Sequence, residues 1–111
     1  MNAMKNRVQL IGNVGNDPEI KTFDGGSKKI SLNIATTDSY KNDKGERVDQ
    51  TEWHTVIAWG KVAEIIEKFV TKGKQIAIDG KLTHRSYDDK NGEKRYITEI
   101  VASEIMLLGK V

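Results

Sequence analysis

Apolar residues fall on alternate positions through most of this chain, the period of half-buried β-strands. Ile30, Leu32 and Ile34 share one face of a strand over residues 29–37, and Ile76, Ile78 and Leu82 share one face of another over residues 75–87. A first strand covers residues 5–14, with Gly12 inside it as the bend that a strongly coiled barrel strand requires. Gly15-Asn16-Asp17-Pro18 interrupts that strand, residues 19–23 resume it, and Asp24-Gly25-Gly26 supplies a tight turn. Residues 41–49 are polar and rich in turn formers, so they predict a flexible hairpin arm projecting from the body. Gly80 marks a second bend, Asp88-Asp89-Lys90-Asn91-Gly92 carries an Asn-Gly hairpin signal, and a last strand follows over residues 94–102, with residues 105–108 as its extension.

The period changes once. Val62, Ile65, Ile66, Phe69 and Val70 recur at i, i+3, i+4 and i+7, which predicts a helix over residues 61–72 with Lys68 and Lys72 in its last turns and Gly73 as its C-terminal cap. With the interrupted first strand counted once, the order is three strands, one helix, two strands. That order is all-β with one helix, and it fits a five-stranded Greek-key barrel, the OB-fold, with extended hairpin arms. Alternating βαβ units fit poorly, because the helix appears once.

The 111 residues suffice for one domain, residues 1–111, and leave little room for a second core. No apolar run approaches the roughly 20 residues that span a bilayer, and residues 1–5 lack the apolar centre of a secretion signal. The absence of cysteine excludes disulfides, thiolate catalysis and Cys-based zinc sites, and is compatible with a reducing cytoplasm. With a formal net charge of only +2, any affinity for phosphate must come from where the cations sit.

Candidate chemistry centres on two indoles. Trp53 and Trp59 stand six residues apart in a strand whose opposite face offers Val56 and Ala58 to the core. Even spacing puts both rings on one face, about 20 Å apart at roughly 3.3 Å per residue, a span suited to gripping different bases of one extended strand. A lone strand aromatic is more often packing than function; two on one face, backed by core residues, argue for a stacking surface. Lys81, Thr83, Arg85 and Tyr87 lie opposite the Ile76 face, so cations and an aromatic share an outward surface. Tyr40, at the base of the arm, would add a fourth ring, although it has the parity of Ile34 and faces outward only past a bulge or the strand's end. Four platforms at about 1–3 kcal/mol each give a gross figure of about 4–12 kcal/mol before ordering costs.

Enzymatic signals are lacking. None of the four Gly-Lys pairs has P-loop spacing, His54 and His84 are far apart in sequence, and no HExxH, nucleophile turn or framed carboxylate pair occurs, so no catalytic or metal site is expected.

Several separated segments resemble one family: Asn6-Arg7-Val8-Gln9-Leu10-Ile11-Gly12-Asn13-Val14-Gly15-Asn16-Asp17-Pro18-Glu19, Gln50-Thr51-Glu52-Trp53-His54, Gly60-Lys61-Val62-Ala63-Glu64, Lys72-Gly73 and Gly80-Lys81-Leu82. In that order, from about residue 6 to 109, they are similar to the bacterial single-stranded DNA-binding proteins. The resemblance implies an OB-fold homotetramer that binds single-stranded DNA without sequence preference in replication, recombination and repair, in the bacterial cytoplasm at the nucleoid, with no cofactor. It implies stacking at Tyr40, Trp53, Trp59 and Tyr87, phosphate contacts at Lys61, Lys72 and Arg85, and a subunit contact at His54. Tyrosine stands where tryptophan is usual at positions 40 and 87, tryptophan where phenylalanine is usual at 59, and Thr71 and Thr83 where the family often has basic residues. Family members usually continue into a linker and an acidic tip that recruits replication and repair proteins; this chain ends at Val111, which reads as a truncated core or a tail-less relative and gives no expectation of such recruitment. Rival readings are an RNA-binding or primosome-accessory OB protein, an oligomeric barrel whose aromatics fill an interface, and a nuclease.

Overall fold

A computed structural model describes residues 5–108; Met1 to Met4 and the Gly109-Lys110 pair lie outside the described residues. The elements are β1 (Val8–Val14), β2 (Glu19–Thr22), β3 (Lys28–Lys41), β4 (Arg47–Trp59), α1 (Gly60–Phe69), β5 (Gln75–Asp88) and β6 (Lys94–Leu107). β1 pairs antiparallel with β5 from Val8/Gly80 to Asn13/Gln75, then meets β3 at Asn13/Ala35 and Val14/Ile34. β2 takes up the same β3 edge from Glu19/Ser31 to Thr22/Lys28, so β1 and β2 are one interrupted barrel strand. A short parallel seam, Val56/Ile100 and Ile57/Val101, joins β4 to β6 and completes the closure. The result is the expected five-stranded Greek-key OB barrel.

The inward faces supply the core. Val14, Ile30, Leu32, Ile34, Val56, Ala58, Ile76, Ile78, Ile100 and Ala102 are buried, and α1 covers the barrel with Ala63 and Ile66. Each fully buried large aliphatic side chain contributes about 1.5–3 kcal/mol, which makes the alternating pattern the main determinant of the fold.

Two glycines mark where backbones touch. A Cβ on Gly12 would overlap the Ala35 carbonyl, where β1 passes from β5 to β3. A Cβ on Gly80 would overlap the Val101 carbonyl, beside a bulge that leaves Ser103 unpaired between Glu104 and Ala102; the Ser103 hydroxyl donates to the Asp79 carbonyl at 2.9 Å. Both bends coincide with the predicted positions.

Several expectations are corrected. The helix ends at Phe69, not at residue 72, because Val70 turns extended (φ −106°, ψ 126°) and drops into the core while its amide still reaches the Ile66 carbonyl. Gly73 is therefore no helix cap; it lies in the following turn at φ +91°, where its amide donates to the Val14 carbonyl at 2.7 Å. Phe69 and Leu82 match the periodicity of core residues but are exposed, Leu82 because it stands on β5 beyond the Gly80 bend. There the Asn6 side-chain amide pairs with both backbone groups of Leu82, extending the β1 ladder by one step. The arm over residues 41–49 is an ordered ribbon: the β3–β4 register runs unbroken from Lys29/Trp59 to Lys41/Arg47, leaving only residues 42–46 as a turn.

Candidate nucleic-acid interface

The outward face of β4 carries Trp53, Thr55, Ile57 and Trp59, set against Ala35, Asn33, Ser31 and Lys29 of β3 by direct cross-strand pairing. Trp53 is 62% exposed, and Trp59 and Tyr87 are also open. The small side chains beneath Trp53 explain its position: it pairs with Ala35, and its six-membered ring lies so close to Gly15 that a methyl group there would overlap it. Gly15 is fixed in turn by its backbone N–H, which donates to the Asn33 carbonyl at 2.8 Å, and by Asn16, whose side-chain carbonyl accepts from the Asn33 amide at 2.9 Å.

Trp59 ends β4 immediately before α1, in extended backbone and with no side-chain cap on the helix. Phe23 packs against its ring with centroids 5.6 Å apart and planes tilted by 30°, and the Lys29 ammonium sits 5.9 Å from its centroid. These contacts anchor the indole while leaving it 44% exposed.

The β5 part of the face continues across the seam. Lys81 pairs with Val101, Val101 with Ile57, Ile57 with Ser31 and Ser31 with Glu19, one rung running over five strands. Thr83, Arg85 and Tyr87 follow Lys81 on the same strand face, as alternation requires. Arg85 is not a free cation: its Nε and Nη2 donate to both carboxylate oxygens of Glu99 at 2.9 and 3.1 Å. Those hydrogen bonds, and then the carboxylate charge, raise the Arg85 guanidinium above its ordinary pKa.

Tyr40 does not join the tryptophans on their ribbon face. It is 53% exposed, but the register holds no bulge, so it pairs with Val48 on the opposite side of the β3–β4 ribbon. Its exposure arises because the ribbon projects past the barrel, where no core exists to cover it. Lys61 is exposed in the first turn of α1; Lys72 is exposed after the helix, its backbone amide held by Asp17 Oδ1 at 3.0 Å; Lys81 is exposed beside the Gly80 bend. Among the described residues none of these three lysines makes an ion pair. His54 is half-buried on the side of β4 away from the tryptophans, its Nε2 3.0 Å from the Thr36 hydroxyl. Among the described residues no cluster of metal-ligating side chains occurs, and no helix is long and apolar enough to cross a membrane.

Sequence reasoning missed Phe23, Lys29 and Glu99. Lys29 was detectable, since it has the parity of Trp59 across a predicted hairpin. Glu99 was not: it interrupts a β-rich segment, and its partner becomes evident only once the β5–β6 register is known.

Residues 5–108 match the single-strand binding protein family. The chain belongs to that family. Among its relatives, a single-stranded DNA-binding protein 1 of Xylella fastidiosa is 46% identical over 109 residues, covering 97% of this chain and 80% of the relative. A second, from Chlorobaculum tepidum, is 43% identical over 105 residues, covering 94% of this chain and 65% of the relative. Against solved structures, this family member superposes on a Plasmodium falciparum SSB in complex with ssDNA with a TM-score of 0.86 at 29% identity, over 94% of this chain and 95% of that one. A deletion mutant of the Thermus aquaticus single-stranded DNA binding protein gives 0.79 at 30% identity, over 94% of this chain and 50% of that one.

Proposed function

We propose that this protein binds single-stranded DNA without reading its sequence, by stacking bases on Trp53, Trp59, Tyr87 and Tyr40 and drawing phosphates to Lys61, Lys72, Lys81 and the neighbouring cations. One observation carries the reading: Trp53, Trp59, Tyr87 and Tyr40 are among seven aromatic rings that lie open on a barrel whose apolar core is complete without them. Open rings that the core does not use are the platforms that unpaired bases need. The names of its relatives and the bound strand in the Plasmodium falciparum structure support the choice of single-stranded DNA. Family membership supports binding without catalysis, a homo-oligomeric assembly, here taken as a tetramer with His54 at a subunit contact, and service in replication, recombination and repair in the bacterial cytoplasm at the nucleoid.

Titration of tryptophan fluorescence with poly-dT is the direct test. Quenching is expected at low salt, with log affinity falling against log salt by about 0.7 per phosphate neutralised. Trp53→Ala and Trp59→Ala should each weaken binding by about 1–3 kcal/mol, roughly 5-fold to 160-fold, in a protein that still melts cooperatively. No quenching by poly-dT would remove the proposal, and stronger quenching by an RNA of equal length would redirect it to RNA.

A further inference from the structure

The loop after β1 places a negative charge where a strand-binding protein would not want one. Asp17 is exposed, adjoins the backbone of Lys72, and lies two residues from the Gly15 seat of Trp53. A carboxylate in such a place repels phosphate. Among the described residues Asp17 makes no ion pair that would neutralise it. Its use lies in one oxygen: Oδ1 accepts the backbone N–H of Lys72 at 3.0 Å.

The turn that carries Lys72 is tied to β1 through its later residues. The Gly73 N–H donates to the Val14 carbonyl at 2.7 Å, the Val14 N–H to the Lys74 carbonyl at 2.9 Å, and the Asn13 side-chain amide to the Gly73 carbonyl at 3.2 Å. The Lys74 N–H closes the turn on the Thr71 carbonyl at 3.1 Å. None of these bonds uses the Lys72 N–H, and among the described residues Asp17 is the acceptor it meets. The same loop is joined to the tryptophan face. Asn16 Nδ2 donates to the Asp17 carbonyl at 3.2 Å, Asn16 Oδ1 accepts the Asn33 N–H at 2.9 Å, and Gly15 lies against the Trp53 ring. Residues 13–17 therefore connect the seat of a stacking ring to the backbone of an unpaired lysine.

We propose that Asp17 is a positioning residue for strand binding: through the Lys72 N–H it locks the turn that carries Lys72 to the loop that seats Trp53, so that ammonium and indole meet phosphate and base as one rigid unit. The inference rests on the single-strand-binding reading above. Asp17 itself touches no nucleotide. Its charge opposes the strand, and the fixed lysine more than offsets that repulsion. Asparagine offers the same oxygen, and at helix ends it accepts from a backbone N–H about as well as aspartate does. The acceptor and the charge of Asp17 can therefore be separated.

The experiment is a poly-dT titration of the whole chain at several salt concentrations, with melting curves recorded for every variant. Asp17→Ala deletes a negative charge, yet it should lower affinity severalfold and reduce the magnitude of the salt slope by about 0.7, one phosphate. Asp17→Asn deletes the same charge and keeps the acceptor, so it should bind at least as tightly as the unmodified protein with the full slope. Lys72→Gln should cost about 0.7 in slope by itself and nothing further when combined with Asp17→Ala. An alanine variant that binds as well as the unmodified protein would overturn the proposal. So would an asparagine variant that fails as alanine does, or additive losses in the double variant. Hydrogen exchange gives a reading that needs no substitution: the Lys72 amide should be protected in the unmodified protein, and exchange at the rate of an open chain would overturn the assignment as well. A Lys72→Gln titration identical to that of the unmodified protein would also overturn it, while quenching by poly-dT upholds the broader reading. Failure of the unmodified protein to bind would sink both.

Discussion

Gly15 acts through what it lacks. Because the Trp53 ring occupies the space a side chain would need, Gly15→Ala should swing the indole off its seat without touching the barrel core. The ring is mostly exposed and free to move, so the cost in stability should stay within about 1 kcal/mol. The effect on poly-dT quenching should be severalfold, and a variant that melts normally and is quenched normally would disprove the seating role. In the sequence Gly15 was readable only as part of a strand interruption, because its partner is remote along the chain. Trp53 and Trp59 were readable as outward residues, since alternation fixes which face of β4 they occupy. Tyr40 shows the limit of the same rule: its parity was correct, and what alternation could not supply was that the ribbon there has left the barrel.

The hairpin tips repeat one piece of chemistry. In both the β3–β4 and β5–β6 ribbons an Asx side chain accepts two backbone amides: Asn42 from Lys44 and Glu46, Asp89 from Asn91 and Glu93. Gly45 and Gly92 follow at φ +78° and +79°, the left-handed conformation that closes such turns. Asp89 differs in being ionisable. The Arg95 hydrogen bond first, then the Glu93 amide, and last the Asn91 amide hold its carboxyl below the ordinary carboxylate range, against an opposing effect of burial. A depressed folded value means the stabilisation is present above the ordinary value of about 3.9 and disappears as pH falls through it toward the lower folded value. Acidification should therefore loosen the β5–β6 tip, visible as a shift of the Gly92 amide resonance. Asp89→Asn should abolish that shift, and its persistence in the variant would refute the assignment. The Asn-Gly signal of this tip was legible; the helix end was less so, because Val70 satisfies the helical period while standing in extended backbone.

For the molecule as a whole, closure depends on backbones passing at contact distance. Gly12→Ala and Gly80→Ala each drive a methyl group into a carbonyl, of Ala35 and of Val101, that the ladder holds in place. Overpacking of this kind costs about 1–3 kcal/mol, and urea unfolding should show it as a lower midpoint at unchanged slope. Ile66→Ala, which empties the contact between α1 and the barrel, should cost about 2–5 kcal/mol by the same measurement. Strand number, helix placement and both bends were legible because each is written in local alternation or in a glycine. The β4–β6 pairing was not, since a parallel contact between strands separated by a helix and a third strand leaves no local trace. That seam consists of the Val56/Ile100 and Ile57/Val101 rungs, whereas the two long hairpins it joins are antiparallel and contiguous in sequence. Each hairpin can zip from its own turn within microseconds, so the slow event in folding is their docking along a contact that spans the chain. Ile100→Val should then retard refolding more than it hastens unfolding, and a stopped-flow chevron would display that asymmetry.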